Sequence, residues 1–203
     1  MHDFAAAEAR VRARLLGRRD HERLGDLDPR VPDDVESQLV RAAVLVLLER
    51  VPGWSVVLTK RTTTVDHHKG EVSFAGGMRD PEDADATATA LREAQEEIGV
   101  DPAAVTVLGE LDQLYTVTRF QVTPIVAAID AGYAYRPNPS EVDRVLQVPL
   151  PLLRDANAWF EEERTWRGGT YRLRSLRFND DVIWGATARM LQNFLTLVPP
   201  DIL

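Results

Sequence analysis

Three glutamates stand close together in the segment 92–99, whose sequence is REAQEEIG. Glu93, Glu96 and Glu97 are spaced i, i+3 and i+4, so a helix would gather them into about 100° of arc. The same helix would place Leu91, Ala94 and Ile98 near one face, and we expect an exposed acidic ridge away from it. Carboxylates this close repel each other and need a compensating cation. Hard divalent cations such as Mg²⁺ or Mn²⁺ prefer oxygen ligands and are commonly shared with substrate phosphates.

A solvated acidic stripe, in which Arg92 pairs with Glu96 at i, i+4, is the plain alternative for such a segment. Its surroundings favour a metal site for phosphate chemistry. A Gly76-Gly77 pair, predicted to form a turn after a strand, and an acidic connection at 80–83 precede the helix. We therefore expect oxygen ligands at the rim of a packed scaffold.

A second set of residues is cationic and lies just upstream. It consists of Lys60, Arg61, Lys69 and Arg79, with His67 and His68 between them. Arginine binds phosphate in a bidentate manner and lysine as a point charge, so this set is suited to a polyanionic substrate. Solubility at a strand end is the plain alternative for Lys60 and Arg61.

The elements that must position these residues can be read from the hydrophobic pattern. Helices are predicted at about 5–19, 84–98, with Gly99 as its stop, and 185–197. Strands are predicted at 38–48 and 54–60, joined as a hairpin, and at 72–74, 105–114, 122–129, 158–162 and 170–176. The pattern predicts an α+β protein with a mixed sheet flanked by helices. Residues 1–35 are interpreted as a helical arm and linker before a single domain at 36–203.

Composition excludes several function classes. The chain of 203 residues carries a formal net charge of −8 and no cysteine. Nucleic acid is therefore not the expected partner, and disulfides, thiolate catalysis and cysteine metal sites are excluded. The longest apolar run, at 42–48, is far shorter than the roughly 20 residues of a membrane helix, and we expect a cytoplasmic protein. P-loop and Rossmann motifs are absent.

Residues 77–100 resemble the Nudix box, G-x5-E-x7-R-E-U-x-E-E-x-G-U, where U is a bulky aliphatic residue. The second half, at 92–100, matches, with Ala94 at the first U position. The expected first Glu corresponds to Asp83 or Glu82, with one or two extra residues before Arg92. The resemblance implies a Nudix α/β/α sandwich in which Glu93 and Glu97 bind metal. It further implies that Glu96 binds a further metal or orients water, that a carbonyl of Gly76 or Gly77 completes the site, and that Arg92 orients the carboxylates.

Residues 58–77 resemble the L-T-x-R-S-x3-R-x-H-x-G-x-V-x-F-P-G-G signature of coenzyme A diphosphatases within the Nudix superfamily. They depart from it at Thr62, Asp66 and Ala75. Stretches at 108–124 and 183–189 also resemble that subfamily. The resemblance implies Mg²⁺- or Mn²⁺-dependent cleavage of coenzyme A into 4′-phosphopantetheine and adenosine 3′,5′-bisphosphate. The residues predicted to contact substrate are Lys60, Arg61, His68, Lys69 and Arg79.

Several alternatives stay open at this point. The substrate could instead be ADP-ribose, a dinucleotide or a nucleoside triphosphate. The alternative from another function class is a binding module that has the Nudix fold and catalyses no reaction. A homodimer is compatible with the sequence. Candidates for the general base are Glu96, Glu141, Glu161, Glu162 and Glu163.

Overall fold

A computed structural model describes residues 3–18, 23–25, 39–63, 70–166 and 169–203. The helices in these ranges are α1 (Phe4–Leu16), α2 (Ala86–Ile98), α3 (Leu150–Arg154) and α4 (Gly185–Leu197). The strands are β1 (Arg23–Gly25), β2 (Val40–Arg50), β3 (Ser55–Arg61), β4 (Val72–Ser73), β5 (Ala75–Met78), β6 (Thr106–Glu110), β7 (Gln113–Tyr115), β8 (Phe120–Asp130), β9 (Val142–Pro149), β10 (Trp159–Trp166), β11 (Gly169–Phe178) and β12 (Asp181–Ile183). None of the described helices has the length and apolarity needed to cross a membrane.

The long strand β2 organises the larger of two sheets. It pairs in parallel with β8 along its whole length and antiparallel with β3 through the predicted hairpin. The order is β1-β7-β8-β2-β3-β4, with β6 also on β8, β5 on β2 and β9 on β3. Strands β10, β11 and β12 form a separate antiparallel sheet.

Helices cover both faces of the larger sheet, because β2 is apolar on both sides. Leu45 and Leu47 point into a core that includes Ala90 and Ala94 of α2. Val46 and Leu48 alternate with them and join the opposite core, which contains residues of α1 and α4. The predicted α+β fold with a helix-flanked mixed sheet is confirmed.

Helix α1 belongs to this packed structure. Its Val11 and Leu15 are buried, and Arg12 donates to the Val107 carbonyl at 2.9 Å. The predicted boundary at residue 35 lies outside the described residues.

Some element predictions were wrong. The single strand expected at 105–114 is divided into β6 and β7 at residues 111–112, where the Asp112 amide donates to the Asn193 side chain at 3.1 Å. Within β6, the pairing with β8 shifts register between Val107 and Gly109. A side chain at Gly109 would also approach Leu15 Cβ to 2.7 Å. Sequence analysis missed β9 and β12 altogether. Helix α4 has the predicted bounds, and α2 ends as expected at Gly99, with φ 68°.

Candidate metal and diphosphate site

Capping residues fix the ends of α2 and therefore the positions of its glutamates. The Asp85 side chain accepts a hydrogen bond from the Ala88 amide at 2.8 Å, as an N-cap does. At the other end, Gly99 adopts the left-handed conformation and its amide donates to Gln95 at 3.0 Å. The acidic residues lie in the last two turns between these caps.

Arg92 is the most connected side chain of this helix, with five hydrogen bonds. Its guanidinium contacts both carboxylate oxygens of buried Asp83 at 3.1 and 3.0 Å and donates to the Met78 carbonyl at 3.0 Å. The same group reaches Glu93 at 2.9 Å and Glu96 at 3.1 Å. The hydrogen bonds from Arg92 hold the pKa of Asp83 well below its usual range, against the opposing effect of burial. Arg92 therefore connects the acidic helix to the preceding loop.

Hydrogen bonds within the loop before α2 determine which acidic residue pairs with Arg92. Asp83 also accepts from the Asp80 amide at 2.9 Å, and its own carbonyl accepts from Arg79 at 2.9 Å. Glu82 is exposed, and its amide donates to the Asp80 side chain at 2.9 Å. Of the two alternatives left by the sequence, Asp83 is the partner of Arg92.

The three glutamates differ strongly in burial, so the evenly exposed ridge that we expected is wrong. The Glu97 side chain is 5% exposed, that of Glu93 17% and that of Glu96 58%. Glu97 follows Ala90 and Ala94 at i+7 and i+3, so it shares their buried stripe against the sheet. The helix face presented to the sheet is therefore wider than the apolar residues alone indicate.

Burial changes the proton affinity of the two inner carboxylates. It raises the pKa of Glu97 to about 8, with further contributions from the negative charges of Glu141 and Glu93. Arg61 opposes this rise from a guanidinium nitrogen 3.8 Å from the Glu97 carboxylate, and a backbone hydrogen bond from Gly76 opposes it as well. Burial likewise raises the pKa of Glu93, although Arg92 opposes it. A cation at this position would favour the ionised forms.

The Gly76-Gly77 pair lies in strand β5, paired with β2, and the prediction of a turn was wrong. Close packing explains why these positions are glycine. A Cβ at Gly76 would lie 2.4 Å from the Ala43 carbonyl oxygen, and one at Gly77 would lie 2.5 Å from a Glu93 carboxylate oxygen. Gly77 therefore leaves space for the Glu93 carboxylate beside the sheet.

The predicted cations do not form one common cluster among the described residues. The Lys60 ammonium pairs with Asp181, Arg61 approaches Glu97, and Arg79 donates to the Asp83 and Ala84 carbonyls. His68 and Lys69 lie outside the described residues, and substrate contact by all five stays a prediction.

Sequence analysis missed Asp181 and Arg144. Asp181 is buried and accepts from Lys60 of β3 and, at 2.8 Å, from Arg144 of β9. It thereby connects the two sheets. No spacing in the sequence relates residue 181 to residue 60, because the contact arises from the arrangement of the sheets.

The donor set fits a divalent cation in chemistry. Within the described ranges, no three acidic or histidine side chains meet as a ready-made metal cage. Glu93 and Glu97 nevertheless offer hard oxygen donors, both partly desolvated and close enough for the negative charge of Glu93 to raise the pKa of Glu97. Such a pair is suited to Mg²⁺ or Mn²⁺.

Comparison with known proteins agrees with this arrangement. A family model for the NUDIX domain matches residues 39–168. The protein described as uncharacterized Nudix hydrolase NudL from Photorhabdus laumondii is 34% identical over 80% of this chain and 87% of its own length. NudL of Escherichia coli K12 is 36% identical over 75% of this chain and 79% of its own.

Solved structures with a similar fold include an Ap4A hydrolase of C. elegans. It is 19% identical and covers 57% of this chain and 82% of its own, with a TM-score of 0.48.

The chain belongs to the Nudix hydrolase family, whose members hydrolyse phosphorus-containing anhydrides. These enzymes generally use divalent metal ions such as Mg²⁺ or Mn²⁺ and act on small-molecule substrates.

Proposed function

We propose that the chain hydrolyses the diphosphate linkage of coenzyme A, yielding 4′-phosphopantetheine and adenosine 3′,5′-bisphosphate. The main support for a hydrolytic site is the pair of desolvated carboxylates, Glu93 and Glu97, beside strand β5. The choice of coenzyme A is supported by the sequence signature at 58–77 and the two later stretches that resemble the same subfamily.

Glu93 and Glu97 would hold the cation, with the Gly76 carbonyl as a further donor. A divalent ion in this place would neutralise diphosphate oxygens and lower the pKa of a coordinated water. Exposed Glu96 is available for a further metal or for orienting the attacking water. Arg92 is held by Asp83, orients the Glu93 and Glu96 carboxylates and does not contact substrate.

Hydrolysis also needs a group that accepts a proton from the attacking water. Glu141 is supported for this role because its negative charge raises the pKa of both Glu93 and Glu97. Glu96 is the second candidate, since it is exposed on the same helix face. Glu161 and Glu163 pair with Arg172 on β11, and Glu162 accepts from Ser175 at 2.7 Å. These three residues of β10 are therefore the weaker candidates.

Coenzyme A carries a diphosphate and a 3′-phosphate, and Lys60, Arg61, His68, Lys69 and Arg79 are the groups proposed to contact these anions. The test is a product-resolved hydrolysis assay in ¹⁸O-labelled water with Mg²⁺ or Mn²⁺. Coenzyme A, dephospho-coenzyme A and ADP-ribose are compared at equal concentrations. We expect the highest kcat/KM with coenzyme A and a lower value when the 3′-phosphate is missing.

Each other outcome corrects a particular part of the proposal. Faster cleavage of ADP-ribose than of coenzyme A would assign the site to that substrate class. Equal kcat/KM for coenzyme A and dephospho-coenzyme A would remove recognition of the 3′-phosphate. No turnover of any diphosphate with either metal would favour a binding module.

A further inference from the structure

A cleft of about 510 Å³ lies between α3, α4 and the β10–β11 hairpin. This volume is within the range of roughly 300–1,000 Å³ that small-molecule sites occupy. Leu153, Trp159 and Leu195 supply apolar lining. The cleft is large enough for a metabolite of modest size.

Three arginines line this cleft, namely Arg154, Arg174 and Arg189. No aspartate or glutamate of the described ranges lines it with them. This local excess of positive charge occurs in a chain with a formal net charge of −8. Guanidinium groups that share a cleft repel one another, and an anion between them would relieve this repulsion.

The arginines keep hydrogen-bonding capacity for such an anion. Arg189 makes no hydrogen bond or ion pair with any residue that the structure describes. The Arg174 guanidinium lies 5.4 Å from the centre of the Trp159 ring, and the ring is fixed by its own hydrogen bond to the Leu153 carbonyl at 2.8 Å. Cation–π contact positions Arg174 while leaving its N–H donors available at the ring edge.

Arg154 is the third arginine of the cleft, and its Nε is buried. One of its nitrogens donates to the Val198 carbonyl and another to a main-chain oxygen of Leu203, the last residue of the sequence, whereas its buried Nε has no acceptor within the described part of the chain. Burial lowers the pKa of Arg154, and the negative charge of Asp201 opposes this effect. Arg154 thus lines the cleft with one buried donor, its Nε, that no described residue accepts from.

This cleft is separate from the acidic site. Leu153 and Trp159 belong to the core on the α4 side of the sheet, whereas Ala94 of α2 belongs to the core on the other side. Helix α3 follows Pro149, which pairs with Ser55 at the start of β3. Arg61 lies at the opposite end of that strand, about 20 Å away at 3.3 Å per residue.

We propose that this arginine cleft binds a small organic anion that carries at least two phosphate or carboxylate groups. Phosphate and carboxylate both accept paired hydrogen bonds from guanidinium, and the apolar lining contacts the carbon skeleton between them. The site is independent of the hydrolytic one and does not require a divalent metal.

Isothermal titration of the full chain in EDTA tests this proposal, with fructose 1,6-bisphosphate and citrate as separate probes. We expect saturable binding of at least one probe, and about a tenfold or larger rise in Kd when Arg174→Gln and Arg189→Gln are combined. Binding of the bisphosphate alone would identify phosphate as the recognised group, and binding of citrate alone would identify carboxylate.

Arg177→Gln is the matched control, because Arg177 is an exposed arginine of the same strand that lies over the Phe160 ring outside the cleft. It should leave Kd unchanged. Should the double variant fail to fold, Arg189→Gln alone serves, since no described contact depends on Arg189. Absence of saturable binding by either probe up to about 10 mM, or equal weakening by Arg177→Gln, overturns the proposal.

Discussion

Two arginines face the carboxylates of helix α2, and they are held in opposite ways. Arg92 makes five hydrogen bonds, two of them to Asp83. Arg61 stands 3.8 Å from Glu97, and its Nε is buried without an acceptor among the described residues. One guanidinium is saturated by the protein, while the other is a loosely held counter-charge.

This difference in bonding indicates distinct roles for Arg92 and Arg61. Removing one partner of a well-bonded buried pair is costly, so the Arg92–Asp83 pair acts as a fixed support. The Arg61–Glu97 contact is longer than a hydrogen bond and can be exchanged for a stronger one. We therefore expect changes at Glu97 to affect chemistry and changes at Arg92 to affect folding.

The largest expected effect is on turnover in Glu97→Gln. The substitution keeps the shape of the side chain and removes a proposed metal-ligand charge, so we expect kcat/KM to fall by about 10³-fold. The free energy of unfolding near neutral pH should not fall, because Glu97, with a pKa of about 8, is mainly a neutral acid there and the buried amide that replaces it is also neutral. Steady-state kinetics with coenzyme A and urea unfolding measure the two quantities.

Glu82→Gln is the control for this change, since Glu82 is an exposed acid of the preceding loop. It should retain wild-type kinetics. Full activity of Glu97→Gln would remove Glu97 from the chemistry, and its unfolding would show that Glu97 supports the fold.

The next largest effect is on stability in Arg92→Gln. Loss of the guanidinium leaves Asp83 buried without its partner, and we expect the free energy of unfolding to fall by about 3 kcal/mol. Arg61→Gln should cost less than about 1 kcal/mol, because Glu97, with a pKa of about 8, can bind a proton instead. Equal losses in the two variants would contradict the proposed difference between the arginines.

The Arg92 contribution should also depend on pH. The folded state lowers the pKa of Asp83, so its stabilisation is present above the unfolded value of about 3.9 and is lost as the pH falls. The gap in stability between wild type and Arg92→Gln should therefore be complete near neutrality and shrink below about pH 4.

A smaller effect is expected for Gly77→Ala. The added methyl group would meet the Glu93 carboxylate, the end of a side chain that can rotate away. We expect about a tenfold loss of kcat/KM with an unchanged unfolding midpoint, because the ligand moves while the sheet does not. Wild-type kinetics in this variant would show that the position of Glu93 is not critical.

Local signals account for the elements that were predicted correctly. Helix α2 has Asp85 and Gly99 at its caps, and the β2–β3 hairpin has punctuation between two apolar runs. Strand β9 was missed because two consecutive charged residues, Asp143 and Arg144, interrupt the apolar pattern near its start, and β12 is only three residues long. Their pairing comes from the rest of the sheet, which no local pattern specifies.

The sequence predicted which residues form the site but not how the fold arranges them. The spacing of the glutamates placed them on one helix, but the docking of that helix decided that Glu97 is buried and Glu96 exposed. Likewise, the choice of Asp83 over Glu82 depends on the loop hydrogen bonds around Asp80. Gly76 was mistaken for a turn residue because sequence alone cannot separate a glycine that bends the chain from one that fits against a neighbouring strand.

An anomalous difference map from crystals soaked in Mn²⁺ tests the central claim most directly. We predict a manganese peak between the Glu93 and Glu97 carboxylates, with Arg61 moved away from Glu97 and Arg92 still bonded to Asp83. A map with no peak at these carboxylates and with Arg61 still against Glu97 would contradict the account.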